Sequence, residues 1–128
     1  MSRQDIIHAY RNLHKATLKA ICYSKPASHT ARSILNDTFK KRPQDDFDAI
    51  RIQNTLKFLQ AAADYAGYEH KILKNLLYVK WWQSRESKRT ITSSSNSDFA
   101  RHIREQSTLQ YSATLTMLNE SLGTCLTI

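Results

Sequence analysis

The residue types that most often carry out chemistry in proteins are scattered along this chain rather than clustered. Two of its five histidines, His8 and His14, are six positions apart, so on a helix they would not share a face for a metal ion. Cys22 and Cys125 are too few and too far apart for a disulfide framework or a metal site. We find no glycine-rich phosphate loop and no nucleophile elbow. We therefore expect a non-enzymatic protein that holds no metal and no cofactor directly.

Positive charge is the strongest chemical signal, and it is concentrated in the first third of the chain. The net charge is +8 and the pI is about 9.7. Residues 11–42 contain eight basic side chains against the single acid Asp37. Arg11, Lys15 and Lys19 recur every four residues, which aligns them along one face of a helix. This charge predicts an acidic partner, which could be nucleic acid, an anionic membrane surface or an acidic protein.

Hydrophobic periodicity predicts that helices position these side chains. Two glycines and two prolines are too few for the turns of a β-sandwich or barrel. Ser28 is a candidate N-cap for the second helix, the aspartates at 45–48 are expected to open the third, and Gly123 is expected to end the last. The predicted helices run from about Gln4 to Ile21 or Cys22, Ser28 to Arg42, Asp45 to Ala66, Glu69 to Trp82, and Asp98 to Leu118 or Leu122. On the third helix the predicted apolar stripe is Phe47, Ile52, Leu56, Leu59, Ala63 and Ala66.

The predicted fold is all-α, an antiparallel bundle of three to four helices in residues 1–89. A polar, serine-rich linker over residues 90–97 is expected within the aperiodic stretch RESKRTITSSSNSD, followed by a helical tail over residues 98–128. No apolar run approaches the ~20 residues that span a bilayer. No secretory segment is recognisable, and two isolated cysteines suit a reducing compartment, so we expect a soluble intracellular protein.

Four features in roughly the first 80 residues belong together. Ala9-Tyr10-Arg11 lies two turns into helix 1, and a trail of basic residues follows it. Phe39 lies near the end of helix 2 within DTFKKR, and RIQNTLKFLQ forms much of helix 3. Together they resemble the LYR-motif (complex 1 LYR-like) proteins of mitochondria, and the whole chain is similar to a fungal branch of that family. Ala9 replaces the leucine of the motif, so the match rests on Tyr10-Arg11 and on spacing.

The resemblance implies an adaptor of the mitochondrial matrix. Such proteins look like small three-helix domains that bind acylated mitochondrial acyl carrier protein. The acyl chain, carried on the carrier's phosphopantetheine, inserts into the helical core, and the loaded pair supports assembly of a larger complex. That client could be a respiratory complex, the ATP synthase, the iron–sulfur machinery or the mitochondrial ribosome.

The resemblance also implies two sets of site residues. Carrier contacts would come from Tyr10, Arg11, Lys15, Lys19, Lys40, Lys41 and Arg42. The acyl-chain tunnel would be lined by Leu13, Ala16, Ala20, Phe39, Leu59, Ala62 and Ala63. Each has a plainer structural alternative: Tyr10 as a core aromatic, the basic residues as a solvated face, and the alanines as close helix packing.

Two other functions remain open from the sequence. A helical RNA-binding or ribosome-associated module could use the basic surface on phosphates, although aromatic residues are not interleaved with the basic ones. A purely structural subunit of a membrane complex would need neither the carrier nor RNA. Only the carrier-binding function requires an acyl chain inside the fold.

Overall fold

The computed structural model describes residues 2–90 and 98–126. Within these ranges the chain forms five α-helices and one 3-10 turn, which spans Gln44–Asp46. The helices are α1 (Arg3–Ala20), α2 (Ala27–Lys41), α3 (Ala49–Asp64), α4 (Tyr68–Thr90) and α5 (Asp98–Leu122). No helix in the described part of the chain is both long enough and apolar enough to cross a membrane.

Side-chain caps fix the starts of α1 and α3. The hydroxyl of Ser2 accepts a hydrogen bond from the backbone N–H of Asp5, while the backbone N–H of Ser2 donates to the Asp5 carboxylate. Hydrogen bonds from the hydroxyl and then the backbone N–H of Ser2 hold the pKa of Asp5 below its ordinary value. At α3, the Asp48 carboxylate accepts from the N–H groups of Ile50 and Arg51. Both caps satisfy backbone donors that a helix start otherwise leaves unpaired.

Three predicted boundaries are wrong. Ser28 is not the N-cap of α2, because the helix begins one residue earlier, after Pro26, without a side-chain cap. The 3-10 turn takes Asp45 and Asp46, and Asp48 alone caps α3 because its carboxylate reaches two N–H groups. Helix α4 continues past its predicted end at Trp82, through the stretch RESKRT, to Thr90. This stretch has no glycine or proline and is rich in helix-favouring arginine, lysine and glutamate. Residues 91–97 of the predicted linker lie outside the described residues.

The first four helices share one hydrophobic core. Helices α1 and α4 each pack against α2 and α3. On α1 the fully buried positions are Ala9, Leu13, Thr17 and Ala20, with a spacing of three or four residues. On α3 they are Ile52, Thr55, Phe58, Leu59 and Ala62. In the predicted stripe of α3, Ile52 and Leu59 are buried, and Leu56 and Ala63 are partly buried against the core. The stripe is wrong at its two ends, because Phe47 and Ala66 lie outside α3 and Ala66 is exposed.

Two threonines occupy core positions because their hydroxyl groups are satisfied inside the helix. The Thr17 hydroxyl donates to the carbonyl oxygen of Leu13 at 2.7 Å, and the Thr55 hydroxyl donates to that of Arg51 at 2.8 Å. A buried hydroxyl costs little when it is hydrogen-bonded. Residue hydrophobicity alone therefore misses Thr55 as a core position.

Helix α5 joins this core only near its end. Leu115 is buried, whereas Phe99 is 74% exposed and Ile103 is 48% exposed. Gly123 follows the helix with a φ of 65°, so the predicted end at this glycine is confirmed. The chain then turns back onto α3, and Leu126 packs into the core. We call Gly123–Leu126 the closing segment.

Candidate functional site

A central cavity of about 120 Å³ lies where α1, α2, α3 and α4 meet. An engineered apolar cavity of about 150 Å³ holds one benzene molecule, so this space suits a small apolar group. Its apolar wall includes Leu13, Ile34, Leu35, Phe39, Phe47, Ile52, Leu59, Leu73, Leu76 and Leu77. The sequence therefore builds a hydrophobic pocket inside its helical core.

The end of the cavity nearest the connection between α2 and α3 is charged. Arg42, Asp46, Asp48 and Arg51 line it there. The Arg51 guanidinium pairs with the Glu120 carboxylate of α5 at 3.0 Å and approaches the carboxylate of Asp48 at 3.9 Å. An apolar interior with charged residues at one end matches a ligand that has an apolar tail and a polar head.

A second, more open space of about 470 Å³ adjoins this charged end, and we call it the vestibule. The cavity and the vestibule share Ile34, Thr38, Arg42, Arg51 and Leu126 as lining residues. The charged residues of the vestibule are four cations and two acids, which are Lys41, Arg42, Arg51, Lys80, Asp37 and Glu120. The space beside the charged end of the cavity therefore has a net positive lining.

Tyr10 supports the cavity wall from the outside. Its hydroxyl donates to Asn36 Oδ1 at 2.6 Å, and its ring meets the ring of Phe39 edge-on at a centroid distance of 5.3 Å. Phe39 in turn packs against Phe47 at 5.0 Å, and both phenylalanines line the cavity. His14 lies parallel to Tyr10 at 6.1 Å, and its Nε2 is buried without a hydrogen-bond partner in the described part of the chain. Tyr10 thus links α1 to α2 beside the cavity.

The predicted carrier-contact residues fall into two groups. Arg11, Lys15 and Lys19 are exposed along α1 and line neither the cavity nor the vestibule. Lys40, Lys41 and Arg42 are exposed at the end of α2, where Lys41 and Arg42 line the vestibule. Contacts of Tyr10 with Asn36 and Phe39 bring the turn of α1 that carries Arg11 beside the second half of α2.

The predicted tunnel residues also divide. Leu13, Phe39 and Leu59 line the cavity. Ala20 and Ala62 are almost completely buried in the core, at 1% and 2% exposure, but away from the cavity wall. Ala16 and Ala63 are partly buried against the same core and likewise do not line the cavity. The alanines thus occupy packed positions, and the space lies beside larger side chains.

Several lining residues carry no signal in the sequence. Arg51 lies within the third predicted helix and Lys80 within the fourth, and only the packing of helices brings both to the vestibule. Cys125 and Leu126 reach the cavity because the chain folds back after Gly123. No periodicity or motif indicates that return. Among the described residues, no group of three or more histidine, cysteine or acidic side chains could hold a metal ion.

Comparison with known proteins gives one informative relationship. No family model matches the chain, and no solved structure matches it. The chain is similar to a UPF0593 mitochondrial protein of Schizosaccharomyces pombe, with 28% identity over 89 residues, or 68% of this chain and 71% of the relative. This relationship supports a mitochondrial location for the chain.

Proposed function

We propose that this protein is a non-enzymatic adaptor of the mitochondrial matrix that binds acylated acyl carrier protein. The observation that carries the proposal is the apolar cavity with one charged end, placed beside an exposed basic surface. Such a space would hold part of an acyl chain, and the carrier protein supplies both the chain and an acidic surface. The chain itself needs no metal and no directly bound cofactor for this role.

The binding energy would come from two sources. Burial of each methylene contributes about 0.8 kcal/mol, so a chain that fills the cavity contributes several kcal/mol before ordering costs. The phosphopantetheine would pass through the vestibule, beside Lys41 and Arg42. Arg11, Lys15 and Lys19 would face the acidic surface of the carrier, mainly speeding and orienting the encounter, so this part of the interaction weakens with salt.

The proposed fold is an LYR-like antiparallel bundle formed by the first four helices. Support comes from Tyr10-Arg11 on α1, from the contact of Tyr10 with Phe39, and from the mitochondrial relative. The loaded pair would then act in assembly of a larger mitochondrial complex, namely a respiratory complex, the ATP synthase or the mitochondrial ribosome. RNA binding would use the basic surface but gives the cavity no role.

The proposal is tested by comparing two forms of mitochondrial acyl carrier protein, one acylated and one with bare phosphopantetheine. Calorimetric titration should give affinity for the acylated form at least about tenfold higher, equivalent to ~1.4 kcal/mol. A variant with a filled cavity, Ala31→Phe, should lose most of this difference, because Ala31 is buried and lines the cavity. Equal affinity for both carrier forms would exclude a role for the cavity in carrier binding.

A further inference from the structure

The closing segment is held in place both by packing, since Thr124 and Leu126 are buried, and by a set of polar contacts. Asn54 Nδ2 donates to the carbonyl oxygen of Gly123 at 3.0 Å, and Arg51 Nη1 donates to that of Thr124 at 3.3 Å. The backbone N–H of Cys125 donates to the Thr55 hydroxyl at 3.0 Å. Three consecutive residues of the segment are therefore tied to α3.

Asn119 of α5 holds the same segment from the other side. Its amide nitrogen donates to the carbonyl oxygen of Leu126 at 2.7 Å, and its Oδ1 accepts from the N–H of Leu126 and from the hydroxyl of Thr124, each at 3.0 Å. If the segment leaves, the buried Thr55 hydroxyl keeps its hydrogen bond to the carbonyl oxygen of Arg51. The side chains of Arg51, Asn54 and Asn119 are only partly buried, so they can exchange their bonds to the segment for bonds to water.

Leu126 is positioned to divide the cavity from the vestibule. It is 8% exposed and lines both spaces, and Cys125 lines the cavity beside it. With Leu126 in place, the cavity accommodates a group about the size of benzene. A longer chain that entered from the vestibule and took the place of Leu126 would bury more apolar surface than the leucine side chain gives up.

Charge at the vestibule favours an anionic head group. The Arg51 guanidinium pairs with Glu120 of α5 and donates to the Thr124 carbonyl oxygen of the closing segment. An incoming anion would compete with both groups for this guanidinium. Arg42 lines both spaces and forms no ion pair within the part of the chain that the structure describes. A phosphate or carboxylate near these two guanidinium groups would be bound by charge-assisted hydrogen bonds.

We propose that the closing segment is a displaceable plug, and that the site beneath it takes a single acyl chain with an anionic head group at Arg42 and Arg51. The inference rests on the proposed function, since both place an acyl chain in the same cavity. It adds the identity of the element that moves and the chemistry of the head group. The apparent affinity for the acyl chain is then the affinity of the open site multiplied by the fraction of molecules in which the plug is displaced.

A reversible lock on the plug tests this inference. Thr55 Oγ1 and Cys125 Sγ are 3.2 Å apart, so Thr55→Cys places two thiols within reach of a disulfide. The exposed Cys22 is removed in the same protein by Cys22→Ser. Calorimetry with dodecanoate should show binding to the reduced protein and at least about tenfold weaker binding after oxidation, with recovery on reduction. Equal binding in the two redox states would overturn the plug.

Two further comparisons complete the test: one uses a variant with a weakened plug, and the other uses ligands that differ only in the head group. Leu126→Ala should bind dodecanoate more tightly than wild type, whereas Met117→Ala, at a 71% exposed position on α5, should not differ from wild type. Dodecanoate and dodecyl phosphate should both bind, and Arg42→Gln should weaken both. Dodecanol binding as tight as that of the anions would overturn the head-group assignment.

The carrier complex separates failure of this inference from failure of the proposed function. If the acylated carrier binds equally well to the locked and unlocked forms, or if it binds while no free amphiphile does, the plug is wrong and the adaptor function stands. If neither dodecanoate nor the acylated carrier binds wild type or Leu126→Ala, both proposals are wrong.

Discussion

Tyr10 and Arg11 are neighbours in the sequence but have different roles in the fold. The Tyr10 hydroxyl is used inside the chain, where it donates to Asn36, and its ring supports Phe39 at the cavity wall. Arg11 is exposed on α1. Tyr10 therefore packs within the fold, and Arg11 is the more exposed member of the pair.

The first prediction concerns the tyrosine hydroxyl. Tyr10→Phe removes its hydrogen bond to Asn36 and should lower the free energy of unfolding by about 0.5–1.5 kcal/mol. Urea titration of both proteins measures this difference. Tyr65→Phe, at a position that is 77% exposed, is the matched control and should stay within about 0.5 kcal/mol of wild type. No change in Tyr10→Phe would mean that this bond does not hold α1 to α2.

The second prediction concerns the exposed cation. Arg11→Glu should weaken binding of the acylated carrier by about tenfold or more, because it places a like charge against an acidic surface. Far-ultraviolet circular dichroism should show unchanged helicity. Lys57→Glu makes the same kind of reversal at an exposed position on α3 and should affect affinity much less. Similar losses in both variants would indicate a dependence on net charge alone and would remove the assigned role of Arg11.

At the scale of elements, periodicity predicts which segments are helical but not how the last one returns to the core. The buried face of α1 follows from its spacing, because a helix that packs on neighbours must repeat apolar residues every three to four positions. The end of α4 does not follow from periodicity. Its last residues are polar with good helix propensity, and such a segment resembles a linker when no tertiary contact is known. Asn54 and Gly123 are 69 positions apart, and nothing local in either segment indicates their hydrogen bond.

The third prediction concerns the docking of α5. Burial raises the pKa of Tyr111 above 10.0, because the phenolate loses solvation against the core. Burial of the protonated Tyr111 side chain therefore stabilises the fold fully at pH values below the unfolded-state pKa near 10. This stabilisation is lost as the pH rises through the higher pKa of the folded state. Tyr111→Phe should therefore reduce the fall in unfolding free energy between neutral and strongly alkaline pH.

Urea titrations at neutral pH and above pH ~10 measure this effect. Tyr78→Phe, at a residue that is 59% exposed, is the matched control for the loss of a tyrosine hydroxyl. An equal alkaline fall in wild type and Tyr111→Phe would show that α5 does not bury this ring in solution.

In the whole molecule, the apolar cavity lies next to the basic residues at the end of α2. The cavity lies between four helices, and its charged end opens into a vestibule that the end of α2 lines with Lys41 and Arg42. The resemblance implies Leu13, Phe39 and Leu59 for the acyl-chain tunnel, and all three line the cavity. The remaining predicted tunnel positions are alanines, because small side chains suggest empty space between helices. In the fold, small residues instead allow close packing, and the space forms where large side chains from four helices do not fill the centre.

The central claim is that an acyl chain, delivered by a carrier protein, enters this cavity. The most direct measurement is mass spectrometry of the intact complex after co-expression with mitochondrial acyl carrier protein. Our account predicts a one-to-one complex whose carrier subunit bears phosphopantetheine with an acyl chain attached. A chain recovered alone, or bound to carrier that bears no acyl group, would contradict it.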